Sequence, residues 1–131
     1  ARIRNPAIVV YAAPWTFPNW LGLENGTESE FYSDDALDYI VSWLQCAQET
    51  GAGTVEYVGN RPRPSSTDLL GQRQAHSLPP WRWVVALREA LDDAGFNETR
   101  LVLPDSEYDA TVEALWSKEP AFASAMADGV M

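Results

Sequence analysis

The aromatic side chains are the first feature of this sequence that could do chemistry. Six Trp and five Tyr are many for 131 residues. Such an excess has two physical outlets, a large core or flat platforms on which the apolar C–H face of a sugar ring can stack. The densest stretch is Pro14-Trp15-Thr16-Phe17-Pro18-Asn19-Trp20-Leu21-Gly22. Trp15 and Trp20 both lie in it. Among the carboxylates, Asp105 follows an apolar run, where it could bind a hydroxyl or cap the next helix. Glu56 lies inside another such run and not at its end. His76 has no Ser or Cys partner at a recognisable spacing and reads as a solvated loop residue. Cys46 is alone, so it forms no internal disulfide, and the sequence has no Cys/His cluster with metal-ligand spacing.

These residues need elements to position them. Ile8-Val9-Val10-Tyr11-Ala12-Ala13 is a continuous apolar run that predicts a strand buried on both faces, stopped by Pro14. Ser33-Asp34-Asp35 supplies an N-cap and an acidic first turn, and Ala36, Leu37, Tyr39, Ile40, Trp43, Leu44 and Ala47 follow at helical spacing up to Gly51. Thr54 to Gly59 predicts a second strand. Trp83 to Ala94 predicts a helix with Val84, Leu87 and Leu91 on one stripe and Gly95 as its C-cap. Arg100 to Asp105 is a third strand, Tyr108 to Trp116 a third helix, and Gly129-Val130-Met131 would open a fourth strand. Strands alternating with helices predict an α/β fold with a parallel sheet and right-handed crossovers. A doubly wound sheet and a barrel both satisfy the pattern. No Gly-rich phosphate loop follows any strand, which argues against nucleotide binding.

One segment stands apart. Asn60 to Pro80 carries Arg61, Arg63 and Arg73 against Asp68 alone, in a chain of net charge −10, and holds four of the nine prolines. The three strand candidates open at Ile8, Thr54 and Arg100, about 46 residues apart, and removing 60–80 brings the second interval close to that of a compact βα unit. The segment reads either as a long variable loop or, the favoured reading, as an insertion or a gene-model error that overwrote a motif. The net charge of −10 argues against binding a phosphate backbone and suits an acidic compartment. Two sequons, Asn25-Gly26-Thr27 and Asn97-Glu98-Thr99, permit N-glycosylation in a secretory protein. The chain does not begin with Met and ends on what reads as a loop entering a strand, so an internal fragment is expected.

Asn5-Pro6, the apolar strand and then PWTFPNWLG resemble the third strand and following loop of glycoside hydrolase family 59, the galactosylceramidases. YIVSWLQCAQ, EYVG, WVVALREALDDAGF and TRLVLPD continue the resemblance in order over nearly the whole chain except 60–80. It implies part of a (β/α)8 TIM barrel, about strands 3 to 5 with their helices and the start of strand 6. It also implies a retaining β-galactosidase acting on galactosphingolipids with two carboxylates about 5 Å apart. The family's acid/base Glu follows the fourth strand in a Trp-Asn-Glu motif ahead of Arg-Pro. Here the chain reads Gly59-Asn60-Arg61-Pro62, so Asn60 matches the motif's Asn while its Trp and Glu are missing. The nucleophile belongs to the seventh strand, beyond Met131. The resemblance thus leaves this chain without a catalytic carboxylate and implies that Trp15 and Asn60 contact the sugar.

The resemblance further implies a lysosomal enzyme reached through the secretory pathway, a saposin-type lipid-transfer partner, and no metal or cofactor. Two other readings stay open: an inactive carbohydrate-binding relative lacking the acid/base Glu, and another glycosidase of the same barrel clan.

Overall fold

The computed structural model describes residues 3–14, 18, 21, 33–59, 80–102 and 110–127, with Pro80, Ala110 and Thr111 described by backbone only. Three short strands, β1 (Tyr11–Ala12), β2 (Tyr57–Gly59) and β3 (Arg100–Val102), form one parallel sheet in the order β1-β2-β3. Helix α1 (Asp34–Glu49) joins the first pair and α2 (Pro80–Asp93) the second; α3 (Ala110–Lys118) and α4 (Pro120–Ala125) follow β3.

Both crossover helices lie on the same face of the sheet. Buried Val58 belongs to one cluster with Ile40 of α1 and with Trp83, Val84 and Leu87 of α2. A doubly wound sheet reverses its strand order and carries helices on both faces. Sequential order with helices on one face is the winding of a barrel wall, and it is equally that of one half of a doubly wound sheet, so three strands are consistent with both architectures that alternation left open. Leu37, Ile40 and Leu44 of α1, Val58 and Leu101 of the sheet, Trp83, Leu87 and Leu91 of α2, and Phe122 of α4 belong to one buried cluster.

Local chemistry explains the helix limits. The Ser33 hydroxyl accepts from the Ala36 amide at 3.3 Å, a side-chain N-cap. Both crossover helices end in a Schellman motif on a left-handed glycine. At α1 the Gly51 amide donates to Gln48 and the Ala52 amide to Ala47, with Gly51 at φ 77. At α2 the Gly95 amide donates to Asp92 and the Phe96 amide to Leu91, with Gly95 at φ 84. The α2 helix begins at Pro80, three residues before the expected start. Proline suits the first helical turn because its missing amide hydrogen would be unpaired there anyway. Pro80 therefore belongs to a helix and not to an irregular segment. Residues 60–79 lie outside the described residues, as does the expected fourth strand at 129–131.

Two expectations need correction. The first strand is shorter than Ile8–Ala13 and is half-buried on one face, with Val9 and Tyr11 well exposed on the other. Its start is cut back by side chains. The Val10 carbonyl accepts from the Tyr57 amide at 3.1 Å, so a regular parallel ladder would send the Val10 amide to the Val55 carbonyl. That amide donates instead to the Glu56 carboxylate at 2.8 Å, and the Val55 carbonyl accepts from the Thr99 hydroxyl at 3.0 Å. The second correction is α4, which the sequence reading passed over. It packs on α2 and α3 through buried Phe122, whose ring meets Trp116 edge-on at 6.3 Å.

Candidate active site at the C-terminal ends of the strands

Parallel pairing brings three chain exits to one edge of the sheet. Ala12 is in register with Val58, and Gly59 with Val102. The chain positions that lead to Trp15, Asn60 and Asp105 therefore leave from neighbouring strands, about 4.8 Å apart at the sheet. Catalytic groups of βα-barrels occupy this edge. Trp15, Trp20, Asn60, His76 and Asp105 themselves lie outside the described residues.

Below that edge, on the face away from the helices, one rung of side chains crosses the sheet. Tyr11 is in register with Tyr57, and Tyr57 with Arg100. The Arg100 guanidinium donates to the Tyr57 hydroxyl at 3.4 Å and stands 6.0 Å from the Tyr57 ring centroid. The Tyr11 ring runs toward the C-terminal edge and covers Gly59, the residue before Asn60. A Cβ built on Gly59 would meet Cε2 and Cζ of that ring at 2.7 and 2.8 Å, and the hydroxyl oxygen closer still. Any larger residue here must displace the Tyr11 ring. Sequence reasoning took Tyr11 as part of a continuous apolar run and did not single out Tyr57 or Arg100. The period-two alternation of Tyr11 with Val10 and Ala12, and of Tyr57 with Glu56 and Val58, is the signal that places them on this face.

Glu56 is at the wrong end for acid/base work. It precedes β2, its carboxylate is engaged by the Val10 amide, and its own carbonyl accepts from the Arg100 amide at 2.8 Å. It ties the start of the sheet together. A cavity of about 350 Å³ beside the end of β1 is lined by Ala12, Ala13, Pro14, Tyr39, Trp43 and Val58. It lies on the helix side, so it is separate from the Tyr11 rung. Among the described residues no group of three or more His, Cys, Asp or Glu could hold a metal ion, and no helix is long and apolar enough to cross a membrane.

The profile of glycosyl hydrolase family 59 matches residues 1–128. The chain belongs to that family. Among relatives, it is 28% identical to a galactocerebrosidase of Danio rerio over 109 residues, covering 82% of this chain and 14% of that protein. A galactocerebrosidase of Salmo salar is also 28% identical, over 106 residues, with 81% and 14% covered. A putative galactocerebrosidase of Caenorhabditis elegans is 30% identical over 101 residues, covering 75% of this chain and 13% of that one. The family-59 chain thus spans about 14% of the length of the Danio rerio and Salmo salar relatives. In fold it is similar to an endo-β1,6-glucanase of known structure, at a TM-score of 0.64 and 21% identity over 98% of this chain and 32% of that one. That likeness concerns architecture, and it is consistent with the one-faced parallel sheet being part of a barrel-like glycosidase domain.

Proposed function

We propose that this family-59 chain is part of the catalytic barrel of a retaining β-galactosidase that hydrolyses galactosylceramide and related galactosphingolipids. The family match over residues 1–128 carries the reading. In it β1, β2 and β3 are strands 3, 4 and 5 of the eight, and the three chain exits at their C-terminal edge form one sector of the sugar site. Trp15 stacks on the apolar face of galactose. Asn60, leaving the end of β2, hydrogen-bonds the sugar as the Asn of the Trp-Asn-Glu motif. Retention needs an acid to protonate the leaving oxygen and a carboxylate to attack the anomeric carbon. The acid is missing beside Asn60 and the nucleophile belongs to a later strand, so this segment binds and positions and does not catalyse alone. The longer protein works in the lysosome on lipid presented by a saposin-type partner.

The sequence Gly59-Asn60-Arg61-Pro62 favours a second reading, an inactive carbohydrate-binding relative that has lost its acid. Sequencing the transcript across Asn60 to Pro80 separates the two. An exon restoring Trp-Asn-Glu supports the hydrolase, and a continuous read-through into Asn60-Arg61-Pro62 supports the inactive relative. The substrate is tested by assaying the full-length product on galactosyl and glucosyl lipids. Preference for the glucosyl lipid would sink the galactosidase reading.

A further inference from the structure

The fold separates the two recognition groups of the sequon Asn97-Glu98-Thr99. Asn97 is exposed, in the turn between the Gly95 cap of α2 and the start of β3. Thr99, two residues on, is only 1% exposed. Its hydroxyl donates to the Val55 carbonyl at 3.0 Å, its amide donates to Phe96 at 3.0 Å, and its carbonyl accepts from Arg88. The acceptor amide is thus in water while the hydroxyl is locked into the base of the sheet.

We propose that Asn97 is an N-glycosylation site that is modified before β3 docks on β2. A transferase that reads Asn-x-Thr must hold the threonine hydroxyl, and the folded chain cannot present it. In the transfer, the Asn97 amide nitrogen forms a bond to C1 of the first N-acetylglucosamine. The bond from that carbon to the lipid pyrophosphate of the oligosaccharide donor breaks, the pyrophosphate leaves with its electron pair, and the amide proton passes to a transferase base. Once Thr99 is buried, Asn97 still faces solvent, so the folded protein accommodates the glycan. A cleft of about 540 Å³ lined by Arg88, Glu89, Asp92, Asn97 and Ser124 opens beside it and gives the first sugar a polar wall. Asn97 precedes β3, so the glycan stands at the opposite edge from the chain exits of the candidate site and leaves that site open.

The proposal rests on the functional reading only for secretory routing, which the test supplies separately. The full chain is placed behind a cleavable signal sequence and translated with microsomes, in an Asn25→Gln background. One endoglycosidase-sensitive product is expected. Asn97→Gln removes it, and Thr99→Ser retains it. A pulse-chase gives the order of events, with occupancy complete at the end of the pulse. A translocated chain with no glycan at Asn97 overturns the site, and a glycan that accumulates only during the chase overturns the timing. Neither result bears on whether the longer protein cleaves galactolipids.

Discussion

The Tyr11 ring of the first strand occupies the space that a side chain at Gly59, at the end of the second, would fill. The contact crosses from β1 to β2 and stops one residue short of Asn60. A methyl group at position 59 must push the ring aside. Tyr11 is 55% exposed and can swing, so Gly59→Ala is expected to cost about 1 kcal/mol, the low end for overpacking. In a Tyr11→Ala background that cost should vanish, which a double-mutant cycle on chemical denaturation measures. Additive effects would mean that the ring does not constrain Gly59.

The Glu56 carboxylate replaces a missing carbonyl in the β1–β2 ladder, accepting from the Val10 amide at 2.8 Å. Removing it leaves a part-buried amide unpaired. Glu56→Ala is expected to destabilise the chain by about 1–3 kcal/mol, and Glu56→Gln by less because the amide oxygen can still accept. Hydrogen exchange at Val10 is the direct measurement, since its amide should be protected in the parent chain and exchange faster in Glu56→Ala. Equal protection in both would remove the role assigned here.

Trp83 fastens α2 to the start of α1. Its ring is fully buried, and its indole nitrogen donates to the Ser33 carbonyl at 3.1 Å. That carbonyl also begins the α1 hydrogen-bond series through Ala36 and Leu37. Trp83→Phe keeps most of the packing and loses the hydrogen bond, for about 1 kcal/mol. Trp83→Ala also opens a cavity and should cost about 3–5 kcal/mol. Thermal unfolding distinguishes the two, and similar losses for both would place the contribution in the hydrogen bond alone.

What could be read from the sequence follows how local the physics is. Ser33, Gly51 and Gly95 were legible as helix ends because a cap is made by residues two to five positions apart. The extent of β1 was not, because it depends on the Glu56 side chain arriving from another strand. Alternation of strands and helices pointed to a parallel sheet, but strand order is a long-range property, and only the pairing of β2 with both β1 and β3 shows it. Helix α4 is only 6 residues long, too short for a periodic stripe, although Pro120 marks its first turn. Trp15 and Asn60 depend on family resemblance for their roles. The sheet establishes only that the chain leading to them leaves from adjacent strand ends.

The chain as it stands is expected to show no glycosidase activity. Retaining hydrolysis needs an acid and a nucleophile, both carboxylates, at the C-terminal edge of the barrel. Asn60-Arg61 stands where the acid is expected. Of the described carboxylates Glu56 directly precedes a strand, and it is held at the opposite end by the Val10 amide. Loss of general acid catalysis alone costs about 10²–10⁴-fold, and without a nucleophile the covalent route is closed. Restoring Trp-Asn-Glu in a full-length protein should recover turnover, and Trp15→Ala in that protein should then weaken transition-state binding by about 1–3 kcal/mol, taking base-on-aromatic stacking as the nearest measured comparison. A fluorogenic β-galactoside assayed at acid pH reads both effects as kcat/KM. Turnover by the unmodified chain above that of its Glu56→Gln variant would show that Glu56 can leave the Val10 amide and act on substrate, and the assignment of Glu56 to the ladder would then fail.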